Sequence, residues 1–480
     1  MVQEIRKDLI GDRSPDMEKM LPYWTLVDAL NAGIDAMRAG GKKWLEPFPH
    51  EDDEDYKFRL SQTKMTNVFS DILESLSSKP YEKAITLEGE NHPEFLTEFV
   101  QDVDGAGSDL SMFSTDVFEA GIRSAVDWIF VDYPNVDTKR VITVDEKKRN
   151  NMRAYWTRVI AINVLEVKTK MFGGDERLTY FRFLEPGEVD HVREIYIDDN
   201  GAILWNLYVK TDKYDDKAQT FYTIESSGVM TIDEIPIVPF VTGRRIGRTF
   251  VLKPPMKAAA DAQRDLYHQE SALKYAKVLA AFPMLSASGV KPERDSANNI
   301  IPIGIGPNKV LYAPPTPDGQ IGSWKYVEPN ANTLQFLAKD IETGIQNLRE
   351  LGRQPLTAQS ENLTVVTTAF AAGKAKSSVA AWAGRLKHAL IRALEITCKW
   401  ERVEPGEIKL FVFTDFDQFT DSEDIDALSA ARERGDISQE TFWEEAKRRG
   451  LLSDTFDPKR EKKRLLLEVP GDSGEITEDD

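Results

Sequence analysis

One cysteine in 480 residues, Cys398, rules out any disulfide within the chain and fits a reducing compartment. It lies in the apolar run ALIRALEITCKW, where a buried and inert thiol is expected. No stretch approaches the roughly 18 uninterrupted apolar residues that a membrane-spanning helix needs, and the mean hydropathy is −0.41. The opening MVQEIRKDLIGDRSPDMEK lacks the apolar core of a signal peptide, so the chain is expected to be made and kept in a cytosol. Catalytic signatures are missing too. There is no GxxxxGK[ST] phosphate loop, HExxH, GxSxG or CxxC, and Gly105-Ala106-Gly107-Ser108 and the glycines near 304–306 do not complete a GxGxxG. The five histidines, His50, His92, His191, His268 and His388, are scattered, with no ligand partner at metal spacing. The expectation is a protein that is not an enzyme, with no catalytic residue, no cofactor and no metal.

Basic charge is also in deficit: 61 Lys and Arg stand against 80 Asp and Glu, for a net charge of −19. A protein that grips nucleic acid through phosphates needs a basic excess, because each contact releases a counterion. The balance argues against a repressor, nuclease or packaging motor. It leaves room for a protein past which DNA slides without being held.

What is present reads as an α+β chain, too long for one compact core. Residues 1–130 read as helical: DMEKMLPYWTLVDALNAGIDAMRAG up to Gly40–Gly41, YKFRLSQTKMTNVFSDILESLSSKP up to Pro80, and SDLSMFSTDVFEAGIRSAVDWIF. From about 158 to 242 the period drops to two. Short β-branched and aromatic runs are separated by Gly173–Gly174, Pro186–Gly187, Asn200–Gly201 and Ser227–Gly228. This predicts an antiparallel meander, with a hairpin at DDNGAIL and IPIVPFVTGRRIG as its closing strand.

Residues 257–281 then predict a helix of about 37 Å, with a small or apolar seam at Ala259, Ala262, Leu266, Leu273, Ala276 and Ala280 interrupted by Gln269. Residues 282–330 are rich in Pro and Gly with short strands. A second seam follows: Leu334, Leu337, Ile341, Ile345, Leu348 and Leu351, ending at Gly352. Neither seam is expected to be buried within one chain. Residues 353–364 form a polar loop, 365–402 a long alanine-rich helix, IKLFVFTDF a strand, and 421–450 two helices broken at Gly435. The end, PGDSGEITEDD, is polar and acidic and is expected to be disordered.

Two acidic clusters and one basic cluster need weighing. Asp415, Asp417 and Asp421 with Glu423 and Asp424 suggest a calcium loop or a two-metal nuclease. Phe419 and Thr420 break the calcium template, and Asp421 or Ser422 as a helix cap is the simpler reading. Glu51–Asp55 reads as a solvated charge run, and KREKKR at 459–464 as a solvated helical face.

The order of segments resembles the portal proteins of tailed bacteriophages, in particular a portal family long known only as a domain of unknown function. The stretches that carry it are KKWLEPFPHEDDEDYKFRLSQTKMTNVFSDILESL, DGAGSDLSMF at 104–113, AVDWIFVDYP at 125–134, AYWTRVIAINVLEVK at 154–168 and EIPIVPFVTG at 234–243. HQESALKYAKVLAAFPMLSASG at 268–289, IQNLRELGRQPL, TTAFAAGKAKSSVAAWAGRLKHAL, FTDF at 413–416 and GDISQETFWEEAKRRG at 435–450 continue it. They cover nearly the whole chain in order. One departure is Trp44-Leu45-Glu46-Pro47, where relatives read Tyr-Leu-Pro.

The resemblance implies a ring, expected to hold twelve subunits, at one vertex of an icosahedral virion capsid assembled in the host bacterial cytoplasm. It would serve as head–tail connector and as the DNA translocation channel for viral genome packaging and ejection. It implies a portal-like fold: a wing at 1–252, stem helices at 253–281 and 331–352, a small α/β clip at 282–330, a tunnel loop at 353–364, a helix and strand returning to the wing at 365–417, a helical crown at 418–468 and the tail at 469–480. The tunnel-loop residues expected to face double-stranded DNA are Arg353, Gln354, Thr357, Gln359, Ser360 and Asn362. The clip residues expected to meet partners are Trp324, Tyr326 and Tyr312. Leu266, Leu273, Leu334, Leu337, Ile341 and Leu348 are expected to pack between subunits. Implied partners are the terminase large subunit, a head–tail adaptor, the major capsid protein and a scaffold protein, with no membrane. The alternatives are another virion connector or minor capsid protein, and a metal-dependent nuclease built on Asp415, Asp417 and Asp421.

Overall fold

A proline at the start and a glycine at the end delimit the first helix of the computed structural model. The structure describes residues 7–89, 91–134, 152–281, 284–289, 294, 322–327, 331–351, 365–414, 429–448, 456, 461 and 462. Two compact units divide the chain, Met1–Phe413 and Thr414–Asp480.

In the first unit, α1 (Pro15–Ala32) starts on a residue whose missing amide proton has no partner in a first turn anyway. It ends at Gly33, whose φ of +87° turns the chain into α2 (Ile34–Ala39), so the one helix expected here is two. Asp52 caps α3 (Asp53–Gln62) by accepting from the amides of Glu54 and Asp55, and Asn67 caps α4 (Val68–Ser77). β1 (Thr86–Glu88), α5 (Phe95–Phe99) and α6 (Leu110–Ser124), capped by Asp109, follow.

The helical reading of SAVDWIF fails here. Ala125 takes φ +73°, and the next seven residues are β2 (Val126–Asp132), hydrogen-bonded on both sides. Its neighbours are β3 (Tyr155–Val159) and a strand more than 100 residues away, described below.

The meander comprises β4 (Val164–Phe172), β5 (Asp175–Glu185), β6 (His191–Ile197), β7 (Ile203–Asp215) and β8 (Thr220–Met230), paired in chain order. The β6–β7 turn is the one predicted: Asp198 accepts from the amides of Asn200 and Ala202, and Gly201 has φ +84°. The expected closing strand, β9 (Ile237–Val241), leaves the meander and completes the three-stranded sheet β3-β2-β9. Pro239 lies on this edge strand, opposite Trp128, where its lack of an N–H is tolerated. β10 (Arg244–Arg245) and β11 (Leu252–Lys253) make a short hairpin.

The small sheet is the middle layer of the core. On one face Trp128 packs 4.8 Å from Phe181 and Phe130 5.9 Å from Phe183, both on the meander. On the other, Phe240 stacks on Phe118 of α6 at 5.7 Å. Gly121 permits that approach, because a Cβ there would lie 2.3 Å from the Phe240 ring.

The remaining elements of the unit are α7 (Lys257–Ala281), β12 (Met284–Ser288), β13 (Ser323–Val327), α8 (Ala331–Leu351), α9 (Val365–Glu401) and β14 (Lys409–Phe411), which pairs with β1. Cys398 is buried as expected, and burial pushes its thiol up to about 12, with Glu395 and Glu401 adding to the shift. In the second unit Gly435 has φ +77°, Ser438 caps α10 (Gln439–Arg448), and Trp443 packs edge-on against Phe456 at 5.7 Å. Among the described residues no helix is long and apolar enough to cross a membrane.

Candidate functional site

The long helices α7 and α8 pack side by side, and β12 and β13 pair where α7 ends and α8 begins. The other ends of both helices meet α4. Gln263 near the start of α7 binds the amide of Phe69, and Arg349 near the end of α8 lies 3.6 Å from Asp71. The pair is therefore an antiparallel arm rooted in the helical layer.

Burial falls along it. Ala259, Ala260, Gln263, Leu266, Tyr267 and Ser271 are buried at the root, and Leu273 is the last buried residue described on α7. On α8 Leu348 and Ile341 are buried, whereas Phe336, nearer the tip, is 69% exposed.

The root is held by polar side chains. Gln263 accepts from the Phe69 amide at 3.0 Å and donates to the Thr66 carbonyl at 2.9 Å, closing the first turn of α4. Glu270 accepts from the amide and hydroxyl of Thr66. His268 donates through Nε2 to the Trp44 carbonyl at 2.7 Å. Ser271 lies between Arg59 Nη1 at 3.0 Å and the Thr63 hydroxyl at 2.8 Å.

Arg59 is the hub. Its guanidinium forms a two-pronged pair with Glu51, both contacts 2.7 Å, donates to the Glu46 carbonyl at 2.8 Å and faces the Phe48 ring at 4.0 Å. The two side chains are 1% and 4% exposed. The hydrogen bond from Arg59 holds the Glu51 carboxyl below its ordinary range. This corrects the reading of Glu51–Asp55 as solvated at one position: the Glu51 side chain is a buried counter-ion, whereas Asp52, the cap of α3, and Asp53–Asp55 are exposed.

The expectation that neither seam can be buried within one chain is also corrected. Leu266, Leu273, Ile341 and Leu348 are buried between α7, α8 and α4 without a second copy, and Leu334 and Leu337 are half-buried. The helices close the seam on each other along α7 and α8, with Gly344 of α8 facing Leu266 and Gln269 of α7.

At the tip, Trp324 is half-buried and pairs in register with Ala287, and Tyr326 pairs with Leu285. Tyr312 lies outside the described residues, as do Arg353, Gln354, Thr357, Gln359, Ser360, Asn362, Asp415, Asp417 and Asp421. Among the described residues no group of three or more His, Cys, Asp or Glu side chains could hold a metal ion. Sequence reasoning missed Arg59, Gln263 and Ser271. The available signal was polar residues at 263 and 271 beside the small and apolar seam of the helix.

Beyond the arm, α9 buries one face in the body from Val379 onward. Thr397 accepts from the Trp156 indole at 2.9 Å, and the Trp400 indole donates to the Val131 carbonyl at 2.9 Å.

No curated protein matches the chain. Among solved structures, a chain in the neck of a native GTA particle, computed with C12 symmetry, is similar at 13% identity. That similarity covers 84% of this chain and 90% of the other, with a TM-score of 0.37. Residues 255–401, the span from the start of α7 to the end of α9, match a protein family described as a domain of unknown function, DUF4055.

Proposed function

We propose that the chain is a portal subunit of a tailed bacteriophage, a structural conduit and docking ring with no enzymatic activity of its own. The observation that carries the reading is the arm, two long helices rooted in a mixed helical and sheet body and joined at the far end by a small strand pair. An element built this way suits projection from one compartment into another. The order of segments supports the same reading, and the family match coincides with the arm and the helix that follows it.

In this proposal the ring sits in the virion at a capsid vertex. The β12–β13 end of the arm meets the terminase large subunit and later a head–tail adaptor, and loop 353–364 faces DNA. Contacts between copies would fall on Leu334, Leu337 and the exposed Phe336 and Leu351, since Leu266, Leu273, Ile341 and Leu348 are already covered. Twelve copies at −19 each would carry a formal charge of −228, which favours sliding of a duplex over residence on the wall.

Mass photometry and electron microscopy of the purified chain test the proposal. The expected result is a ring with a channel wide enough for a duplex, formed without nucleotide. Monomers alone across micromolar concentrations, or a robust intrinsic ATPase, would overturn it. A ring that binds a capsid protein yet recruits neither motor nor adaptor would favour a different virion connector.

A further inference from the structure

A cavity of about 630 Å³ opens where the end of β2, the meander and the end of α9 meet. Small-molecule sites measure roughly 300–1,000 Å³. Aromatic rings wall this one. Trp400 donates its indole N–H to the Val131 carbonyl at 2.9 Å and stacks on Tyr133 with ring centres 5.6 Å apart, so both rings are held in place. On the meander side, Trp205 of β7 lies across its register partner Gly228 of β8, where a Cβ would come 2.8 Å from the indole Nε1. Glycine at 228 is what seats this indole. Tyr155, Leu207 and Met230 add to the apolar lining.

The polar groups decide the charge of a ligand. Asp132 and Glu401 line the cavity but are engaged. Asp132 accepts from the Tyr133 amide at 2.9 Å and the Tyr155 hydroxyl at 3.1 Å, and lies 3.5 Å from Arg193 Nη1. Glu401 accepts from the Ala154 amide at 3.1 Å, and Arg193 is held by Glu185 at 2.6 Å. A guanidinium, an indole N–H and two hydroxyls have capacity left. Among the described residues Arg402 meets no acid within ion-pair distance, and Trp205 Nε1 and the hydroxyls of Ser226 and Thr231 have no hydrogen-bond partner. Arg402 is exposed and stands just past the last residue of α9 at φ +58°, a conformation that helices usually give to glycine at that place.

We propose that this cavity binds a mononucleotide unit, a planar base carrying one phosphate. The rings offer the base a stacking surface. Ser226, Thr231 and Trp205 Nε1 offer hydrogen bonds to its polar edge, and Arg402 takes the phosphate, which suits a guanidinium fork. An organic cation is disfavoured, because both acids are engaged and the unpaired charge is positive. An aromatic carboxylate would leave the hydroxyls unused. One unpaired cation matches one phosphate, so the proposal is binding and not hydrolysis of a triphosphate, in keeping with the missing phosphate loop. A free nucleotide and one unit of a single strand share this chemistry. The inference stands apart from the conduit reading. Rings that bind no nucleotide would sink this proposal alone, and nucleotide binding by chains that never form rings would sink only that one.

The test is isothermal titration calorimetry of the full chain with AMP, adenosine and an adenylate octamer. AMP is expected to bind once per chain, about fivefold more tightly than adenosine at about 50 mM NaCl, with the difference shrinking at about 500 mM. R402G, which removes the guanidinium and suits the backbone there, should bring AMP down to the level of adenosine and leave adenosine unchanged. R434A, at an exposed arginine of the other unit, should change neither. W205A should weaken AMP and adenosine alike by at least about fivefold, the low end for one lost base stack. G228A should do the same by displacing the indole, each variant keeping the wild-type circular dichroism spectrum. Octamer binding tighter than AMP and lost in R402G supports the site with a single strand as its source; AMP binding the tighter supports it with a free nucleotide. The proposal is overturned if neither binds at millimolar concentration, if R402G leaves AMP affinity unchanged, or if spermidine or indole-3-acetate binds more tightly than AMP.

Discussion

Replacing Arg59 by leucine should be among the most damaging single changes at the root of the arm. The side chain is 1% exposed and serves four acceptors: both oxygens of Glu51, the Ser271 hydroxyl and the Glu46 carbonyl. Its loss strands a carboxylate whose side chain is 4% exposed, and removing one partner of a buried pair costs about 3–5 kcal/mol. The Phe48 ring loses its cation as well, worth about 1 kcal/mol. Glu51→Leu in the same background removes the stranded charge. The double variant should therefore be more stable than the sum of the two single losses implies, by at least about 2 kcal/mol.

The pH dependence follows from the direction of the Glu51 shift. Its carboxyl is held below the ordinary value by Arg59, so its stabilisation is present above the unfolded value near 4.3 and is lost as pH falls through the lower, folded value. The wild-type advantage over Arg59→Leu should thus shrink below pH 4. Urea unfolding followed by tryptophan fluorescence at pH 7 and pH 3.5 measures both effects. A loss under about 1 kcal/mol at pH 7, or strictly additive single and double variants, would refute the reasoning.

Two further outcomes follow from burial. In the dissociated single chain, Leu348→Ala at the root should cost about 2–5 kcal/mol, whereas Phe336→Ala, 69% exposed there, should stay within about 0.5 kcal/mol; equal costs in urea unfolding would contradict the rooted arm. Asp127 is fully buried, and burial raises its carboxyl to about 7 against the pull of Arg158 Nε at 3.0 Å. The folded state therefore holds an extra proton between about pH 4 and 7, and the contribution of Asp127 falls as pH rises through that window. Relative to Asp127→Asn, the wild type should lose about 4 kcal/mol from pH 4 to pH 8, about three units at 1.36 kcal/mol each; parallel stability profiles would refute it.

Short-range chemistry made much of this protein legible. The helix over 257–281 follows from a seam of small and apolar residues, and its observed limits are Lys257 and Ala281. The β6–β7 turn follows from Asn200–Gly201, because few residue pairs adopt that backbone at so little cost. Both are decided within one helix or one hairpin. Three outcomes were not. DWIF joined a strand instead of extending α6 because β3 and β9 flank it, and β9 lies more than 100 residues along the chain. Glu51 is buried and its acidic neighbours are not, because only Glu51 meets a guanidinium held from behind by Ser271 of α7. The arm seam is covered within one chain because α8 returns along α7 to the same root at α4. Periodicity specifies which face of an element is apolar; what covers that face, and which charge is carried inside with it, depends on contacts between segments distant in sequence, and these exist only once the chain has folded.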